Sequence, residues 1–173
     1  MSDQRLFFAL WPEREVREAL QQQLSVNAQV KGRRHHPEDL HITLVFLGQL
    51  RGRPMACIEQ AADAVSGHRF ELSIDHAGYW RRPKIVWIAP GTTPEPLIQL
   101  VDALKQQLTG CGFEPEQRAY KPHVTLYRKA QRISPWQLEK PIQWQVNEFV
   151  LASSNNPVFN QSRYKIMRRW PLA

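Results

Sequence analysis

His41-Ile42-Thr43-Leu44 and His123-Val124-Thr125-Leu126 write one four-residue phrase twice in a chain of 173 residues. With 6 His, 5 Thr and 17 Leu in that length, random placement gives about 0.02 His-x-Thr-Leu matches. The repetition therefore demands a structural reason. Each copy sits in an apolar stretch, and a strand sends alternate side chains to opposite faces. His41, Thr43 and Val45 then share one face, and Ile42, Leu44 and Phe46 the other. In the second copy Val124 and Leu126 are core, and His123 and Thr125 face away. Each motif presents an imidazole beside a hydroxyl on a face that is not the core.

Outward from the motifs, the two halves echo each other. Residues 5–11 read as an aromatic-rich strand, and Pro12 opens a helix over 13–24. A basic loop, 30–37, contains Lys31, Arg33, Arg34, His35 and His36 and leads to the first motif strand, 41–47. Residues 55–65 have helical character. Residues 70–77 and 84–89 read as strands. Leu97, Leu100, Val101, Leu104 and Leu108 mark a helix over 94–108 at i, i+3, i+4 spacing, ended by Gly110 and Gly112. The second motif strand spans 123–127, and 144–152 and 163–170 close the series. No linker divides the chain. The order suits an α+β fold better than a parallel βαβ series, with two lobes related by duplication and the motif pairs meeting across a cleft. Residues 1–173 read as a single bilobal domain.

The net charge is +7, and 16 of the 23 basic residues are arginine, the better fork for phosphate oxygens. The two cysteines, Cys57 and Cys111, form no CxxC, and no disulfide framework can be read from them. A reduced, cytoplasmic setting fits that pattern. The apolar run 6–11 stops at Pro12, too short for a signal segment, and nothing approaches a membrane span.

Two histidines facing one site can divide the labour of acid and base. Two hydroxyls beside them can donate to phosphoryl oxygens. That set suits attack on a phosphodiester by water or a neighbouring hydroxyl. No carboxylate cluster accompanies it, which argues against a two-metal hydrolase. His35 and His36 are adjacent and make poor joint ligands for one ion, so no metal or cofactor is expected. His68 and His76 have no evident partner.

At these residues the chain resembles the 2H phosphoesterase superfamily, and within it the bacterial RNA 2′,3′-cyclic phosphodiesterases, also called the 2′-5′ RNA ligase family. The likeness runs through Arg5–Leu10, Leu40–Gly48, Ala77-Gly78-Tyr79-Trp80, Val86-Trp87-Ile88 and Lys121–Leu126. It implies a bilobal pseudo-twofold fold with an antiparallel sheet in each lobe, outer helices and a central cleft. It implies that water opens a 2′,3′-cyclic phosphate to a 2′-phosphomonoester, with His123 as proton acceptor, His41 as proton donor, and Thr43 and Thr125 on the nonbridging oxygens. The reverse joining of a cyclic end to a 5′-hydroxyl would use the same pair. The partner is RNA with a cyclic 3′ end, such as tRNA fragments, and the enzyme is expected to be monomeric.

Arg128 occupies the position of a phosphate-reaching basic residue in similar proteins. Strict alternation puts Tyr127, not Arg128, on the His123 face, so Arg128 reaches the site only if the strand bulges or ends there. Phe8 or Phe46 is a candidate apolar wall for a base. Lys31, Arg33, Arg34, Arg81, Arg82, Arg118 and Lys121 are candidates to line an RNA path. Small cyclic nucleotides are the competing substrates, and an RNA-binding module without turnover is the competing class. The paired His-x-Thr motifs argue against the latter, since binding alone needs neither acid nor base.

Overall fold

The computed structural model describes residues 4–26, 29–154 and 161–173. Nine strands and three helices follow one another as β1 (Arg5–Leu10), α1 (Arg14–Val26), β2 (Arg33–Arg34), β3 (Ile42–Gly48), α2 (Met55–Asp63), β4 (Phe70–Trp80), β5 (Ile85–Pro90), α3 (Glu95–Thr109), β6 (Val124–Arg128), β7 (Trp136–Val146), β8 (Glu148–Ser154) and β9 (Tyr164–Pro171). A 3-10 turn, Pro37–Asp39, precedes β3. The expected bilobal α+β architecture is the one adopted.

The strand order is β7-β4-β5-β6-β3-β1-β8-β9, with β2 added to β6. It reads as a palindrome about its centre. In one lobe β5, α3 and β6 form a strand–helix–strand unit whose strands pair antiparallel, and in the other β1, α1 and β3 do the same. The two lobe sheets meet edge to edge where Ile42 pairs with Val124. Each of those residues directly follows a motif histidine. The helices bury apolar stripes against the sheet: α3 sinks Leu97, Leu100, Val101, Leu104 and Leu108, as its spacing predicts.

Three expectations are corrected. A single strand over 144–152 is two, β7 and β8, separated at Asn147. Pro141 and a run of polar residues disguise β7, which lies at the sheet's edge, where a proline costs no ladder bond. Its register against β4 slips between Ile74 and His76, across the proline.

The cysteines, expected reduced, are joined: Cys57 in α2 bridges Cys111 just beyond α3, and neither is free. The bridge closes a separation of 54 residues, a cross-link worth about 4 kcal/mol on chain-entropy grounds.

The third correction concerns the motif strands, which do not alternate strictly. Against β1, Phe8 faces Val45 but Ala9 faces Thr43, so Leu44 is an extra residue. Against β5, Val86 faces Tyr127 but Trp87 faces Thr125, so Leu126 is extra. Both bulges fall on the fourth residue of the motif. Each leaves its leucine buried and exchanges the faces of the residues that follow, in β3 as far as a second irregularity at Leu47.

Candidate active site

The register of the central strand pair builds the site. Extending the Ile42–Val124 pairing by one residue each way sets His41 opposite Thr125 and Thr43 opposite His123. Directly opposed residues share a sheet face, and the two histidines take diagonal positions on it, whose backbones are typically about 7–8 Å apart. Two lobes thus supply one histidine and one threonine each.

The imidazoles are held alike. His41 Nδ1 lies 2.6 Å from the Asp39 carbonyl oxygen, and His123 Nδ1 lies 2.8 Å from that of Lys121. A carbonyl only accepts, so both Nδ1 atoms carry the hydrogen, and both Nε2 atoms are left to do chemistry. The Trp11 indole stacks on His41 at 4.8 Å and 6°, with its Nε1 donating to the Glu38 carbonyl. Tyr164 and Phe7 close other sides of the ring, at 5.1 and 5.0 Å. Trp80 packs edge-on against His123 at 4.5 Å. Trp80 is itself propped by Trp87, whose ring lies over Gly78, where a Cβ would come within 2.6 Å of it. A glycine is the residue that admits so close a ring.

The bulges decide the neighbouring positions. Beyond Leu126, Tyr127 turns into the core and donates its hydroxyl to the Leu24 carbonyl. The expectation that Tyr127 binds substrate is therefore corrected. Arg128 takes the Thr125 face and acts electrostatically on both His41 and His123. Beyond Leu44, Phe46 leaves the core face assumed for it and becomes 63% exposed. It lines a cleft of about 1170 Å³ together with Thr43, Trp80, Tyr120 and His123. Phe8, the other candidate wall, is corrected: it is fully buried against Phe149 and Trp170. Its neighbour Phe7 is the β1 aromatic on the site face. Phe46 and Arg128 are the same position of the two motif strands. The site is symmetric in acid–base groups and asymmetric beside them, apolar in one lobe and cationic in the other.

A family model of the 2′-5′ RNA ligase superfamily matches residues 10–157. The chain belongs to this superfamily. The RNA 2′,3′-cyclic phosphodiesterase of Escherichia coli (strain K12) is 32% identical over 173 residues, covering 98% of this chain and 97% of its own. That of Archaeoglobus fulgidus is 31% identical over 128 residues, 72% of each chain. The crystal structure of E. coli LigT complexed with 3′-AMP has a TM-score of 0.86 at 32% identity, over 98% of both chains.

Several groups around this superfamily site lie outside the motifs, and their role was not legible in the sequence. Asp39 is buried; its carboxylate accepts from the Ser162 hydroxyl and from the Arg163 amide, fastening the start of β9, and so Tyr164, beside His41. Trp11 carried one available signal, since it lies on the same β1 face as Phe7 and Ala9. His76, without an evident partner in the sequence, has one in Asp75, at 2.8 Å. Among the described residues no group of three or more His, Cys, Asp or Glu is placed to hold a metal ion.

Burial lowers the His41 pKa to about 4, against the raising effects of the Asp39 carbonyl and of the Asp39 carboxylate, with Arg128 and His123 lowering it further. Burial also lowers that of His123. Both histidines are therefore neutral near pH 7. An anion between them favours the charged form and draws in a proton. A phosphodiester ligand, which does not titrate in this range, should bind with proton uptake. Its affinity should rise as pH falls from 7 and level off near 4, where His41 is already charged. Calorimetry in buffers of different ionisation enthalpy measures this, and binding without proton exchange contradicts it.

Proposed function

We propose that this protein hydrolyses RNA 2′,3′-cyclic phosphate ends to 2′-phosphomonoesters, with its two histidines as a metal-independent acid–base pair. Its general activity, that of an RNA 2′,3′-cyclic phosphodiesterase, is the one its full-length relative is named for. The observation that carries the mechanism is the single central strand pairing, which brings a histidine and a threonine from each lobe onto one face.

His123 Nε2 takes the proton of the attacking water. His41 Nε2, charged by the bound anion, gives a proton to the departing 3′ oxygen. The histidines approach from opposite lobes, as in-line displacement requires. Thr43 and Thr125 donate to the nonbridging oxygens, and Arg128 neutralises charge that grows there. Phe46 and Trp80 wall the terminal base. The same groups run the reverse 2′-5′ joining when a 5′-hydroxyl replaces water.

One chain supplies every group named, which supports a monomeric enzyme acting as one bilobal unit. A cytoplasmic location is part of the proposal, although the Cys57–Cys111 bridge removes one ground for it. Among the described residues no helix is long and apolar enough to cross a membrane.

The test is incubation in EDTA with an oligoribonucleotide ending in 2′,3′-cyclic phosphate. Complete conversion to the 2′-phosphate is expected. Loss of activity on chelation, or a 3′-phosphate product, overturns the mechanism.

A further inference from the structure

Strand β2 carries charge that the four motif residues do not use. It is two residues long and pairs with β6, setting Arg33 directly opposite Arg128. Directly opposed residues share a sheet face, and like charges so placed repel. Arg33 is thus on the face of Arg128 and of the site. His35, two residues on, returns to that face. Its amide donates to the Leu126 carbonyl, and its ring lies 6.5 Å from that of His41.

This imidazole is 7% exposed, and its buried Nε2 has no hydrogen-bond partner among the described residues. Burial first, then His41, Arg128, Arg163 and Arg33, push its pKa down to about 3. Arg163 is set in place by its backbone N–H, which donates a hydrogen bond to the Asp39 carboxylate. Among the described residues none of the three arginines has a carboxylate within ion-pair range. The cleft that holds Phe46, Trp80 and His123 includes none of them in its lining. The one carboxylate beside them, that of Asp39, is engaged by the Ser162 hydroxyl and the Arg163 amide, so three arginines around a neutral buried histidine keep a positive excess that an arriving anion would share.

We propose that Arg33 and Arg163, together with Arg128, form a second phosphate subsite that takes the internucleotide phosphodiester immediately 5′ of the cyclic end. The proposal rests on the phosphodiesterase reading above and adds to it a substrate class: RNA ends of two or more nucleotides rather than cyclic mononucleotides. Arg128 touches both phosphates. The ribose of the terminal nucleotide spans from the histidine pair to the arginines while its base enters the cleft.

Three substrates test this. One is a nucleoside 2′,3′-cyclic phosphate. The second is a dinucleotide with the same cyclic end, and the third is that dinucleotide with an uncharged methylphosphonate linkage. The charged dinucleotide should exceed the neutral one in kcat/KM by roughly tenfold, the scale of one charge-assisted contact. In Arg33→Gln and in Arg163→Gln that ratio should fall towards one. Hydrolysis of the cyclic mononucleotide reports that the catalytic groups still work. The log–log salt dependence for the charged dinucleotide should flatten by about one unit in each variant. Arg33 is exposed, so its loss leaves the fold intact, which thermal unfolding checks. Equal rates for charged and neutral linkages in the unaltered protein, or an unchanged ratio in both variants, overturn the subsite and leave the phosphodiesterase reading standing. No turnover of any of the three overturns both.

Discussion

Alanine at either His41 or His123 is expected to lower kcat by about 10²- to 10⁴-fold, the range that a positioned acid or base contributes. RNA affinity should change far less, because the proposed mode of binding rests on arginine charge and on stacking against Phe46 and Trp80. Each imidazole has Nδ1 committed to a carbonyl two residues back in the chain, so one nitrogen per ring is available for proton transfer. The two act on one displacement, and the double variant should lose little more than the worse single one. Single-turnover kinetics beside equilibrium binding separates the effects. A variant that loses binding and keeps kcat contradicts the assignment.

Phe8→Ala and Phe46→Ala should fail in opposite ways. Phe8 is fully enclosed between Phe149 and Trp170. Its truncation leaves a cavity in the core and should cost about 3–5 kcal/mol of stability. Phe46 is exposed, and its truncation should stay within about 0.5 kcal/mol of the parent. In the proposed binding mode it removes a stacking platform, however, and should weaken binding of the RNA end by about 1–3 kcal/mol. Denaturant midpoints read the first effect and titration with a 2′-phosphate-ended oligonucleotide reads the second. A large loss of stability in Phe46→Ala, with binding kept, would mean that β3 runs without its bulge at Leu44.

These two phenylalanines mark the boundary of what the chain's pattern discloses. Strict alternation identifies the face that carries both histidines up to the third residue of each motif, because His and Thr are polar among apolar neighbours. It fails at the fourth. A leucine at a bulge is buried just as a leucine in register is, so nothing in composition reports the extra residue. Every assignment beyond it inverts: Tyr127 goes inward, while Arg128 and Phe46 come to the site.

The edge strand β7 was hidden for a related reason. Its proline and polar residues are tolerated at an edge, and they break the pattern by which a strand is recognised. The Cys57–Cys111 pairing depends on how α2 packs beside α3, which two isolated cysteines cannot express. Trp11, Asp39 and Tyr164 reach His41 from the end of β1, the turn before β3 and the start of β9, and convergence of that kind exists only in three dimensions.

The central claim is that His41 delivers the proton to the departing 3′ oxygen while His123 takes one from water. A leaving-group substitution tests it most directly. When sulfur replaces the 3′ oxygen of the cyclic phosphate, the thiolate departs without a proton. On this substrate His41→Ala should recover most of its lost rate relative to the unaltered protein, and His123→Ala should recover none. Rescue of His123→Ala instead would exchange the two roles, and rescue of neither would contradict acid–base division between the lobes.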